Sequence, residues 1–172
     1  MKILVLSCSL NPDSRSRVLA TTAQSVLSSL GADVSFLDLR DHKLPMCDGE
    51  DCDPNLVAPL RNPISEADAI LLAVPIYNYD VNAAAKNVVE LTGSAWEDKI
   101  VGFLCAAGGH SSYMSVMSLA NSLMLDFRCL IVPRFVYATG RDFEGEQISP
   151  RITERITELC RESTRLARAL VR

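Results

Sequence analysis

The chain has no run of 18 consecutive apolar residues, so no membrane-spanning helix is expected. It has no block of Lys or Arg. Its 17 basic side chains are interspersed among 21 acidic ones, for a formal charge of −4, and a nucleic-acid partner is not expected. It has no Gly-rich Walker segment and no G-x-G-x-x-G pattern, which removes two common nucleotide fingerprints. No internal repeat, linker or low-complexity tract is present, so residues 1–172 read as a single domain. The start, Met1-Lys2-Ile3-Leu4-Val5-Leu6-Ser7, holds one positive charge and too short an apolar run for a signal peptide. A reducing, cytoplasmic location is the expectation. What the chain does have is 48% apolar and 22% charged residues, enough for a buried core and a hydrated surface, and this excludes disorder.

Six cysteines occur, but a chain this long and apolar does not need a disulfide framework. Cys105 and Cys129 lie in apolar runs and read as small core residues. Cys47 and Cys52 share a polar loop as C-x4-C. A metal there would want two more soft ligands, and only His42 is near. The acidic neighbours disfavour a reactive thiolate. The pair reads as part of an ordinary loop rather than a redox or metal centre, and no metal site is expected.

Short apolar runs alternate with stretches of helical period. The runs are Ile3–Leu6, Val34–Leu37, Ala69–Val74, Ile100–Leu104 and Cys129–Val132. Continuous apolar runs of this length suit strands buried on both faces of a parallel sheet. The expected helices are Arg15–Leu30 with Gly31 as its stop, Asn55–Ala67, Asn82–Leu91, Ser111–Met124, and Pro150–Val171 with Pro150 in its first turn. Strict alternation predicts an α/β, three-layer, doubly wound sheet of five parallel strands in order 2-1-3-4-5. The loop Thr139–Ser149 is expected to be exposed.

In such a sheet, ligands bind beyond the carboxyl ends of the strands where the order reverses. Three loops fall there. The first, Ser7–Ser16, packs hydroxyls, Asn11 and Arg15 between a strand and a helix start. Hydroxyls, free N–H groups at a helix N-terminus and a guanidinium together suit a phosphate. Either Asp13 or Ser14 would cap the helix. Asp13 is awkward beside a phosphate and is expected to cap or to face solvent. The second loop, Pro75-Ile76-Tyr77-Asn78-Tyr79-Asp80-Val81-Asn82, suits a flat heteroaromatic ligand with a polar rim. In the third, Ala106–Ser112, the Gly108-Gly109 pair allows close backbone approach or positive φ. His110 there reads as a solvated loop histidine. The helix after it is rich in Met, Ser and Ala, which suits core packing first and a subunit contact second.

These residues resemble the NADPH-dependent FMN reductases, a flavodoxin-like group that includes quinone, azo-dye and chromate reductases. The resemblance rests on Ser9-Leu10-x-x-x-Ser14-x-Ser16-x-x-Leu19, Ala67-Asp68-Ala69, Pro75-x-Tyr77-Asn78 leading to Lys86-Asn87, and Gly108-Gly109, and it spans about Lys2 to Ala138. It implies a flavodoxin-like fold and FMN as cofactor, with NADPH or NADH as co-substrate. It implies that Ser9, Asn11, Ser14, Arg15 and Ser16 hold the FMN phosphate. By the same likeness, Pro75, Ile76, Tyr77 and Asn78 pack beside the isoalloxazine, and Gly108 and Gly109 meet its other rim. Asn78 is the expected partner of flavin N5, and no side chain need act as acid or base. Arg15 or Arg17 is the candidate for a nucleotide 2′-phosphate. The expected reaction is ping-pong hydride transfer to FMN and on to a small-molecule acceptor such as a flavin or quinone. The resemblance further implies a homodimer or homotetramer. The family often has Arg, Gly and Pro where Asn11, Asp13 and Asn82 stand, departures that bear on how tightly FMN is held. Two other readings are a flavodoxin-type electron carrier, which should be more acidic and carry a Thr-Gly-rich loop, and a flavin-free binding or regulatory module.

Overall fold

A computed structural model describes residues 1–49 and 52–170. Glu50 and Asp51 of the C-x4-C loop, and Val171, expected to end the last helix, lie outside the described residues. The principal strands are β1 (Lys2–Ser7), β2 (Asp33–Asp38), β3 (Ala69–Tyr77), β4 (Ile100–Ala107), β5 (Leu130–Ile131) and β6 (Val136–Thr139). The helices are α1 (Arg15–Ser29), α2 (Pro54–Glu66), α3 (Ala83–Thr92), α4 (Met117–Phe127) and α5 (Pro150–Leu170). The strands pair in parallel in the order β2-β1-β3-β4, with both β5 and β6 on the far side of β4. This is the expected 2-1-3-4-5 arrangement, with the fifth place shared by two short pieces.

The alternation of side chains along each strand divides the core in two. Leu4, Leu6, Ile70, Leu72, Val74, Val101 and Phe103 face α2, α3 and α4, with Trp96 fully buried among them. Trp96 Nε1 donates to Thr92 Oγ1 at 2.7 Å, so its one polar atom is satisfied. Ile3, Val5, Leu71, Ile100 and Leu104 face α1 and α5. Gly102 lies on this second face, where a Cβ would come within 2.8 Å of Leu71 Cδ2 and 2.9 Å of Leu159 Cδ1. Its lack of a side chain lets α5 sit down on the sheet.

Several boundaries differ from expectation. β3 and β4 run on to Tyr77 and Ala107, because strand pairing continues past the aliphatic runs to Pro75↔Ala106. α4 begins at Met117 rather than Ser111 and ends at Phe127 rather than Met124. Residues 111–116 instead form successive tight turns, with Tyr113 N donating to His110 O and Ser115 N to Ser112 O. Tyr113 is drawn against Phe135 and Tyr137, at 4.9 and 5.2 Å between ring centroids, and this tertiary contact overrides helical propensity. The single fifth strand expected over Cys129–Val132 is two pieces. Between them Pro133 has no N–H to give a ladder. The Thr139–Ser149 loop contains a small hairpin, Phe143–Glu144 with Gln147–Ile148.

Candidate active site

β1 sends the chain to β2 on one side, whereas β3 lies on the other. The carboxyl ends of β1, β3 and β4 therefore open into one cleft, of about 740 Å³. Its polar end is the loop after β1. Ser14 is the helix cap: its Oγ accepts from Arg17 N at 3.2 Å and lies 3.0 Å from Ser16 Oγ. Asp13 is not the cap; it is exposed and lines the cleft. Ser9 Oγ accepts from Asn11 N at 3.2 Å, and Asn11 Oδ1 from Asp13 N at 2.9 Å, so the loop's own side chains hold its backbone in tight turns. Arg15 lies with its guanidinium 5.6 Å from the Phe143 ring centroid. Ser9, Asn11, Ser14, Arg15 and Ser16 all line the cleft.

The second wall is the end of β3. Pro75, Ile76, Tyr77 and Asn78 line the same cleft. Tyr77 pairs antiparallel with Asp80, so Asn78 and Tyr79 form a two-residue turn, both left-handed with φ of 50° and 64°. Asn accepts that conformation readily, while Tyr does so at a cost. Tyr79 nonetheless stands 70% exposed. Asn82 secures the wall to the loop after β1: its Nδ2 donates to Cys8 O at 2.7 Å and its backbone N to Pro75 O at 3.2 Å.

At the third wall Ala106, Ala107 and Gly108 reach the cleft, but Gly109 does not line it. Gly109 O instead accepts from Tyr137 OH at 2.8 Å. Neither glycine has the positive φ that its residue type permits, and a Cβ on either would meet nothing within 4 Å. The space before them is open for a ligand edge. His110 is exposed and outside the cleft lining.

Several supporting residues carried no readable sequence signal. Asp38, at the end of β2, is buried and bonded by Arg17 Nε at 2.9 Å and Arg40 Nη2 at 2.7 Å. Burial alone would raise its carboxyl. The hydrogen bonds from Arg40 and Arg17 outweigh burial and hold it below the usual carboxylate range. Arg17 is thus already engaged, and of the two arginines considered for a nucleotide phosphate only Arg15 lines the cleft. Arg40 Nη1 also donates to Pro12 O at 3.2 Å, bracing the first loop from behind. Tyr137 OH lies 2.9 Å from Ser112 Oγ and ties the third loop to β6. Asp142 accepts from Thr139 N at 2.8 Å and from Arg151 at 2.6 Å, and its carboxyl likewise falls below the usual range, burial being outweighed by these bonds. That network sets the loop that carries Phe143 under Arg15.

Away from the cleft, Asn87 Oδ1 accepts from Cys47 N at 2.9 Å and its Nδ2 donates to Pro45 O at 2.8 Å, so this helix residue anchors the cysteine loop. Cys47 and Cys52 are partly buried, and among the described residues no cluster of metal-ligating side chains occurs.

A doubly wound sheet with a polar helix start and an aromatic wall at its switch point defines a flavodoxin-like protein. Residues 1–144 match the model of the NADPH-dependent FMN reductases, and the chain belongs to that family. The family's activity makes it an oxidoreductase with FMN as cofactor and a reduced nicotinamide nucleotide as co-substrate. It is similar to an NAD(P)H-dependent FAD/FMN reductase of Geobacillus thermodenitrificans (strain NG80-2), at 28% identity over 138 residues, 76% of this chain and 73% of that one. An NADPH azoreductase of Bacillus sp. (strain OY1-2) is 26% identical over 166 residues, 92% of this chain and 90% of that one. Among solved structures, an oxidoreductase of Corynebacterium diphtheriae superposes with a TM-score of 0.78 at 17% identity, covering 98% of this chain and 97% of the other, which bears on fold alone.

Proposed function

We propose that the cleft at the ends of β1, β3 and β4 is the FMN site, and that the protein reduces a small-molecule acceptor there at the expense of NADPH or NADH. The observation that carries this is convergence: every residue expected from the sequence to hold FMN except Gly109 lines one cleft. The donor set fits the group. One end offers serine hydroxyls, first-turn N–H groups of α1 and Arg15 to a phosphate; the other offers Pro75, Ile76 and Tyr77 to a flat ring. FMN bound there would supply the redox chemistry, taking a hydride from the nicotinamide and passing electrons to the acceptor.

The chain's own residues bind and orient. Ser9, Ser14 and Ser16 hydroxyls would hold the phosphate, with Asn11 closing that end. Asn78, held left-handed by the turn, would offer backbone and amide groups to the flavin N5. Gly108 would bring backbone to the other rim, where N–H groups would stabilise negative charge; Gly109 would act one step back, through its bond to Tyr137. The relatives' names make flavin, quinone and azo compounds the acceptors to try first. An anaerobic visible spectrum tests the reading: added FMN should bind and NADPH should bleach it. Bound flavin that NADPH leaves oxidised would favour an electron carrier, and no uptake of FMN would remove the flavin reading.

A homodimer completes the proposal. Tyr77, which lines the cleft, and Tyr79, Met114 and Met117 are exposed, and Ser118 Oγ, 3.3 Å from Asp80 Oδ1, joins the two segments that carry them. Light scattering across a dilution series should give twice the 18.8 kDa chain mass. The buried thiols of Cys8, Cys105, Cys129 and Cys160 suit a reducing, cytoplasmic setting.

A further inference from the structure

The further inference rests on the flavin reading of the cleft and concerns its phosphate end. Positive charge there is scarce. Arg17 and Arg40 are both spent on Asp38, at 2.9 and 2.7 Å. Arg15 is the remaining cation lining the cleft, and it enters no ion pair among the described residues. Two positions away Asp13 lines the same cleft. Its carboxylate is exposed and makes no hydrogen bond or ion pair among the described residues. Its place is nevertheless set by the loop. Its backbone N–H donates to Asn11 Oδ1 at 2.9 Å, the carbonyl of Pro12 just before it is held by Arg40 at 3.2 Å, and Ser14 just after it caps α1.

One guanidinium and one carboxylate therefore face this end, and their formal charges cancel. Hydroxyls and first-turn N–H groups remain to grip an anion, but a phosphate monoester brings roughly −1.5 to −2 charges at neutral pH. Its attraction to Arg15 is offset by its repulsion from Asp13, since both line this cleft in partly hydrated surroundings. We propose that Asp13 makes the phosphate end a charge-balanced subsite, so that the protein accepts riboflavin, a flavin without the phosphate, nearly as well as FMN. Flavin then exchanges readily, held mainly through its ring by Pro75, Ile76, Tyr77 and Asn78.

The test compares FMN and riboflavin binding, by quenching of flavin fluorescence, to the wild-type protein, Asp13→Asn and Arg15→Gln. Asn has the size of Asp, and the site is exposed, so folding should not suffer. Wild type should bind the two flavins within about tenfold of each other. Asp13→Asn should tighten FMN about tenfold at low salt and leave riboflavin unchanged, with the gain shrinking in about 0.5 M salt. Arg15→Gln should weaken FMN alone. An Asp13→Asn protein whose FMN-to-riboflavin ratio matches wild type would overturn the proposal while leaving the flavin site standing. So would a wild-type preference for FMN above about a hundredfold. If neither flavin binds either protein, the flavin reading itself fails and the proposal with it.

Discussion

Ser14 does two jobs at one atom. Its Oγ caps α1 through Arg17 N and sits 3.0 Å from Ser16 Oγ in the cleft. Ser14→Ala should cost about 1 kcal/mol of stability in denaturant melts and weaken FMN binding as well. Tyr79 is the opposite case, a residue whose backbone is unfavourable where it stands. At φ 64° a Gly would be relaxed, so Tyr79→Gly should stabilise the fold by about 1 kcal/mol in thermal melts. Gly102 has no such slack. Its neighbours Leu71 and Leu159 are fully buried, so Gly102→Ala should destabilise by about 1–3 kcal/mol as α5 is pushed off the sheet.

Between elements, the clamp of Arg17 from α1 and Arg40 from beyond β2 on Asp38 ties the first loop to the sheet edge. The folded-state carboxyl of Asp38 lies below the ordinary carboxylate value. Under acid conditions the unfolded chain therefore takes up this proton first. The stabilisation is present in full above the unfolded value of about 3.9 and is lost as pH falls below it toward the folded value. Asp38→Asn should remove about 2 kcal/mol at neutral pH and flatten the acid limb of the stability profile. How far the sequence could be read also divides by element. β1 to β4, α1 to α3 and α5 were legible because aliphatic runs and helical periods there agree with burial. The α4 start was not, since the ring of Tyr113 against Phe135 and Tyr137 is a contact between segments distant in sequence. The walls of the cleft were legible because strand-end loops must hold the chemistry of a doubly wound sheet. The braces behind them, Asp38, Tyr137 and Asp142, depend on pairings no local pattern encodes.

For the molecule as a whole, the two core layers decide what its thiols can do. Burial pushes Cys8 and Cys105 well above the ordinary thiol range, Cys129 to about 11 and Cys160 to about 12. At neutral pH a mild thiol reagent should modify Cys47 and Cys52 in the native protein and all six cysteines only after denaturation. The break in the fifth strand place has a consequence of another kind. The outer border of the sheet on that side is a two-residue and a four-residue strand with Pro133 and Arg134 between them. A foreign strand seeking to extend the sheet finds no continuous row of amides to zip against. Concentrated protein should accordingly resist growth into cross-β fibres from that border.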